Sequence, residues 1–206
     1  MSINLINIGK RFNREWIFRK INYEFLDENA YVITGANGSG KSTLLQLITG
    51  NLLASEGTLA YAENKKTISE ETIFSHISFA SPYLELLEEY TLTECIYFHF
   101  QFKKYFSGWN SEKIIDALQM AYAKDKMLKN YSSGMKQRVK LALAILSDTP
   151  FLLLDEPASN LDKQGIEWYQ QLIKNHSANR LIIVCSNEQK HEYNFCTNEI
   201  KIGDYK

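Results

Sequence analysis

Cysteine is scarce in this chain, and its three copies, Cys95, Cys185 and Cys196, show no C-x-x-C spacing. So odd and dispersed a set offers neither a disulfide framework nor a zinc pattern, and reduced, half-buried thiols in a cytosolic protein are expected. Long apolar runs are missing too. The run Phe151-Leu152-Leu153-Leu154, for example, stops at Asp155-Glu156, far short of the ~20 apolar residues that a membrane-spanning helix needs. Met1-Ser2-Ile3-Asn4-Leu5 has neither the basic nor the apolar region of a signal peptide, so no leader is expected. A role at a membrane would then run from the aqueous side, through a partner. Excess charge of one sign is absent as well: 23 Lys and Arg face 24 Asp and Glu, a formal charge of −1. Such a balance argues against sequence-independent nucleic-acid binding, and no nucleic-acid partner is expected. The three prolines and ten glycines are too scattered to form a linker, so residues 1–206 are expected to form a single compact unit.

What is present fits an ordinary globular protein, with 45% apolar and 23% charged residues. Short apolar runs at Ile3–Ile8, Trp16–Phe25, Tyr31–Thr34, Gly57–Tyr61 and Thr72–Ala80 predict strands, with alternation clearest in Ile21-Asn22-Tyr23-Glu24-Phe25. Lys41 to Thr49 has helical spacing. From Thr93 to Phe106 the residues Phe98, Phe102, Tyr105 and Phe106 recur as a helical stripe, expected to pack in a core. Ser111 to Tyr122 predicts a helix capped by Ser111, with Ile114, Ile115, Leu118 and Tyr122 on one face. A long helix from Gly134 to about Leu146, a strand Phe151–Leu154, a helix Leu161–His176 and a strand Leu181–Cys185 follow. This order implies an α/β sheet core with a helical insertion at about residues 84–130.

Three segments carry chemistry. Gly35-Ala36-Asn37-Gly38-Ser39-Gly40-Lys41-Ser42-Thr43 fits G-x-x-x-x-G-K-[ST] between a predicted strand and a predicted helix. Its glycines let backbone N–H groups turn inward at a helix start, where donors and dipole favour phosphate oxygens. Lys41 would reach the β- and γ-phosphates of a nucleotide, and Ser42 would ligate Mg²⁺. An apolar strand ending at Asp155-Glu156 sets one carboxylate, Asp155, beside that metal, and leaves Glu156 to activate water. Tyr131-Ser132-Ser133-Gly134-Met135-Lys136-Gln137-Arg138 opens the next helix, either as a second phosphate-approaching turn or simply as an N-cap.

In this order, and with Ala158-Ser159-Asn160-Leu161-Asp162 after the acidic pair, the segments resemble the nucleotide-binding subunits of ABC transporters over almost the whole chain. The resemblance implies a P-loop NTPase core, a small N-terminal antiparallel β subdomain and an inserted helical subdomain with the family signature. It also implies ATP and Mg²⁺ as ligands. Two subunits, alike or different, would sandwich ATP so that Ser132, Ser133 and Gly134 of one face Lys41 of the other. Residues 158–162 are similar to the loop that touches the partner subunit. An upstream aromatic would stack on adenine: Phe12 fits, Trp16 is the other candidate, and a core role for Phe12 stays open.

The chain departs from the family pattern at two catalytic places. A Gln is expected after the strand ending Phe79-Ala80, yet Ser81-Pro82 stands there and Pro82 can donate nothing. A switch His is expected after Val184-Cys185-Ser186, where Asn187 stands. Asn187 could bond a γ-phosphate through its amide but carries no proton at neutral pH, and His191 lies four residues on. The signature itself has Ser133 and Met135 in place of Gly and Gln. The expectation is a peripheral ATPase subunit on the cytoplasmic face of an integral-membrane transporter subunit, with slow hydrolysis. Its short length resembles subunits paired with small exporters such as the haem-maturation system. A hydrolysis-impaired clamp in a heterodimer and a soluble non-transport ATPase are the alternatives. Glu85, Glu88 and Glu89 form either a solvated face or a contact for a basic loop of the membrane partner.

Overall fold

The computed structural model describes residues 1–63 and 66–206. In chain order its strands are β1 (Ser2–Phe12), β2 (Glu15–Leu26) and β3 (Ala30–Thr34), followed by helix α1 (Lys41–Ile48). Strands β4 (Glu56–Glu63), β5 (Lys66–Ile68) and β6 (Ile77–Ala80) come next, then helices α2 (Leu92–His99), α3 (Ser111–Leu118) and α4 (Ser133–Ile145). The chain ends with β7 (Phe151–Asp155), α5 (Lys163–His176), β8 (Leu181–Ser186), α6 (Lys190–Tyr193) and β9 (Asn198–Lys201).

Two sheets result. The first is antiparallel, in the order β2-β1-β4-β5, with Leu5 opposite both Tyr23 and Leu59. The second is parallel, in the order β6-β7-β8-β3-β9. Every residue of β7 and β8 is buried, as expected of parallel strands covered on both faces. Alternate side chains of β7 go to different cores. Leu152 and Leu154 join the packing of α2 to α5, whereas Phe151 and Leu153 join α1 and the antiparallel sheet. That three-layer arrangement brings the C-terminal ends of β3, β7 and β8 to one edge. Among the described residues, no helix is long and apolar enough to cross a membrane.

Several expected elements need correction. The aromatic stripe does not form one buried helical face, because α2 ends at His99 and residues 101–103 turn away. Phe98 and Phe102 are 42% and 69% exposed, and Phe100 takes the core place, stacked 3.8 Å from Tyr105. The helix α3 is capped by Asn110, whose side chain accepts from Lys113 N–H at 2.9 Å, while Ser111 Oγ pairs with the Tyr105 hydroxyl. Tyr122 lies beyond α3 and is exposed. Of the strand expected at Thr72–Ala80, only Ile77–Ala80 is extended, and Ile73–Ser75 forms a 3-10 turn. The helix expected from Leu161 starts at Lys163, with Asp162 accepting from Gly165 N–H at 2.7 Å.

Candidate functional site

Residues 35–40 join β3 to α1 and wrap the first turn of that helix. Gly40 has φ +107°, and a Cβ there would lie 2.5 Å from Ile17 Cγ2 in β2, so only glycine lets the hairpin pack this close. Lys41 is buried, and its ammonium donates to the carbonyls of Gly35 at 2.9 Å and Ala36 at 3.2 Å. Ser39 Oγ is buried with no hydrogen-bond partner among the described residues. Asn37, Gly38, Gly40, Lys41, Ser42 and Thr43 line an open cavity of about 250 Å³ together with Ile17, Tyr83 and Glu156. A cation and N-terminal helix amides facing one cavity suit a polyphosphate.

β7 delivers Asp155 and Glu156 to the same edge. Asp155 is buried, its Oδ1 has no hydrogen-bond partner among the described residues, and Ser81 Oγ donates to Oδ2 at 3.5 Å. Burial raises the Asp155 carboxyl above its ordinary range, and the Ser42 hydroxyl opposes this. A desolvated carboxylate oxygen left unpaired beside a hydroxyl fits a hard cation such as Mg²⁺. Glu156 adopts φ +41°, rare for a residue with a side chain, and its N–H is fixed by Cys185 O at 2.9 Å. Strain of this kind gathers at functional positions.

Asn187, one residue past β8, reaches back to the phosphate loop. Its amide donates to Asn37 Oδ1 at 3.4 Å, and its own Oδ1 is buried without a partner among the described residues. His191 instead lies in α6, where its carbonyl accepts from Gln170. Pro82 offers only its carbonyl, which accepts from the Lys140 ammonium at 2.6 Å. Burial lowers the pKa of Lys140, with Lys136 adding to the effect and Glu85 opposing it. Glu88 pairs with Lys136, so part of the acidic cluster at 85–89 is neutralised within the chain.

The signature lies apart. Ser132 caps α4 by accepting from Met135 N–H at 3.2 Å, and Ser132, Ser133 and Gly134 line a separate cavity of about 340 Å³ with Asn160, Leu161 and Asp162. A Cβ on Gly134 would lie 2.8 Å from Asn160 O, so this glycine is what lets the 158–162 loop rest on the helix start. The two cavities share no lining residue. Phe12 is 48% exposed at the end of β1, with Lys10 Nζ 5.0 Å from its ring centre. Trp16 already has the guanidinium of Arg19 over its ring at 4.1 Å. Neither lines the phosphate-loop cavity; Ile17 and Tyr83 do, and sequence reasoning missed both because only the folded hairpin and the 81–83 turn bring them there.

A family model described as ABC transporter matches residues 18–159. CcmA of Aliivibrio fischeri, a cytochrome c biogenesis ATP-binding export protein, is 29% identical over 176 residues, covering 84% of this chain and 85% of that protein. YcbN of Bacillus subtilis, an ABC transporter ATP-binding protein, is 27% identical over 81% of this chain, which spans 54% of its length. Among solved structures, the dimeric MJ0796, a bacterial ABC transporter cassette, matches with a TM-score of 0.80 at 24% identity, over 98% of this chain and 95% of that one.

Proposed function

The chain belongs to the ABC transporter family, and from that premise we propose that it is the ATP-hydrolysing subunit for a separate integral-membrane transporter subunit. It would work as a homodimer or heterodimer on the cytoplasmic face. The observation that carries this reading is the separation of the phosphate-loop and signature cavities on one chain. A single copy offers each ATP only half a site, so a second nucleotide-binding subunit supplies the rest.

In this reading the phosphates of ATP displace the Gly35 and Ala36 carbonyls as partners of the Lys41 ammonium. The amides of residues 36–43 and the Ser39 hydroxyl take the phosphate oxygens, and Phe12 stacks on adenine at the hairpin tip. Ser42 and Asp155 would hold a magnesium ion, which when bound would supply positive charge against the phosphoryl oxygens. Glu156 orients and deprotonates the attacking water, and the Asn187 amide donates to the γ-phosphate. Ser132, Ser133 and Gly134 of the second subunit close over the same phosphate. The apolar groove lined by Phe79, Leu84, Phe98 and Phe102 would seat the membrane partner. The positions of Pro82 and Asn187 favour slow turnover, and with it the second reading, a clamp subunit paired with a more active one.

Replacing Lys41 tests the assignment at its root. Lys41→Ala removes a charge-assisted contact worth ~1.5–3 kcal/mol, so Mg-ATP affinity by calorimetry should fall about ten- to a hundredfold. Equal affinity in both proteins would remove Lys41 from the site.

A further inference from the structure

Glu192 has no role in the reading above, yet it is 1% exposed at the sheet edge that holds the site. On sequence grounds it belongs to a short polar stretch, Glu188-Gln189-Lys190-His191-Glu192, with no chemical pattern. In the fold its two oxygens are each committed. Oε1 accepts the backbone N–H of Ala158 at 3.0 Å, and Oε2 accepts the Ser186 hydroxyl. Ser186 Oγ in turn accepts Gln189 N–H at 3.2 Å. The short helix that carries Glu192 is itself pinned, because Tyr169 Oη donates to Glu192 O at 2.8 Å and Gln170 to His191 O at 2.9 Å.

The two partners lie in the two catalytic loops. Ala158 is two residues past Glu156, within a turn where Ser159 N–H bonds Glu156 O and Leu161 N–H bonds Ala158 O, both within 3.0 Å. Ser186 directly precedes Asn187. The unfavourable φ of Glu156 needs surrounding contacts to hold it, and the Ala158 amide bond to Glu192 anchors the turn that follows it. Burying a carboxylate is costly unless it is well bonded. Burial raises the Glu192 carboxyl and the charges of Glu156 and Asp155 add to that, while the Ser186 and Ala158 bonds oppose it. A packing role alone would be met by an apolar residue. A buried carboxylate bonded to a loop amide on one side and to a hydroxyl at a strand end on the other is suited to fixing the distance between them.

We propose that Glu192 is a positioning residue for ATP hydrolysis, which ties the Glu156–Asn160 turn to the end of β8 and so sets Glu156 and Asn187 in register across the γ-phosphate. The inference rests on the hydrolytic function proposed above. Glu192 touches no reacting atom in this scheme and acts through the two loops that it joins.

The test compares steady-state phosphate release, ATP affinity by calorimetry and denaturant stability in wild type, Glu192→Ala, Glu192→Gln and Ser186→Ala. A misplaced water-activating group should lower kcat of Glu192→Ala by about ten- to a hundredfold, with ATP affinity unchanged. Glu192→Gln keeps an acceptor for Ala158 and gains a donor for Ser186 Oγ, so it should restore most of the turnover. Ser186→Ala, which cuts one arm only, should fall between them, and it carries the test if Glu192→Ala does not fold. Unchanged kcat in both alanine variants would overturn the inference while leaving the ATPase reading intact. So would a parallel loss of affinity and kcat, or a Glu192→Gln protein as impaired as Glu192→Ala. A wild-type chain without turnover would instead overturn the hydrolytic reading, and this inference with it.

Discussion

Asn187 stands at the end of β8 with one amide hydrogen bonded to Asn37 and its carbonyl oxygen unpaired. An amide so placed can hold a phosphate oxygen but cannot exchange a proton with it. Together with Pro82, it should leave the attacking water less well held. If each missing contact is worth ~1–2 kcal/mol, turnover falls by roughly ten- to a thousandfold relative to a site that has both. Asn187→Ala should lower phosphate release further, and Asn187→His should retain or raise it. Unchanged turnover in Asn187→Ala would take Asn187 out of contact with the γ-phosphate. At this scale the sequence was most legible where chemistry is local. Gly35 to Thr43, Asp155-Glu156 and Ser132–Gly134 are contiguous motifs, and the fold gathers the first two at one edge. Ile17, Tyr83 and Glu192 were not legible. Each reaches the site through contacts between residues distant in the chain, and none belongs to a recognisable pattern.

Elements show the same division. The long runs of β3, β7 and β8 and the apolar helix α4 could be read directly, since continuous apolar strands and a 3.6-residue period leave few alternatives. β5, with three residues, and β9, with four, carry too little pattern to be distinguished from loops. The aromatic stripe failed for a different reason: spacing cannot reveal that α2 stops at His99. That stop places His99 in a half-buried spot, with Nε2 on Ser147 Oγ at 2.9 Å, and Ser147 donates onward to Leu143 O. Burial, reinforced by the charge of Lys103, lowers the His99 pKa from 6.5 to about 4. The folded state thus favours the neutral ring. Below pH 6.5 the unfolded chain binds a proton that the folded chain refuses, so stability is full above that pH and declines as pH falls towards 4. A complete shift of this size corresponds to about 3 kcal/mol. Urea titrations of wild type and His99→Gln across this window should show the decline flattened in the variant. Parallel curves would mean that His99 titrates normally.

For the whole molecule, the central claim is that one chain carries two half-sites meant for two different ATP molecules. Its near-neutral charge leaves association between copies free of strong repulsion. Closure would bring the signature of each subunit onto the γ-phosphate at the other's Lys41, and hydrolysis would release it. Glu156→Gln removes the carboxylate proposed to activate water while leaving the phosphate loop, Asp155 and the signature in place, so ATP should be trapped at the closed interface. Light scattering behind a sizing column measures this directly. With Mg-ATP the Glu156→Gln protein should elute at about twice the chain mass of 23.8 kDa, and without nucleotide at the chain mass itself. A mutant that binds Mg-ATP yet stays at 23.8 kDa at high protein concentration would contradict assembly from two copies of this chain.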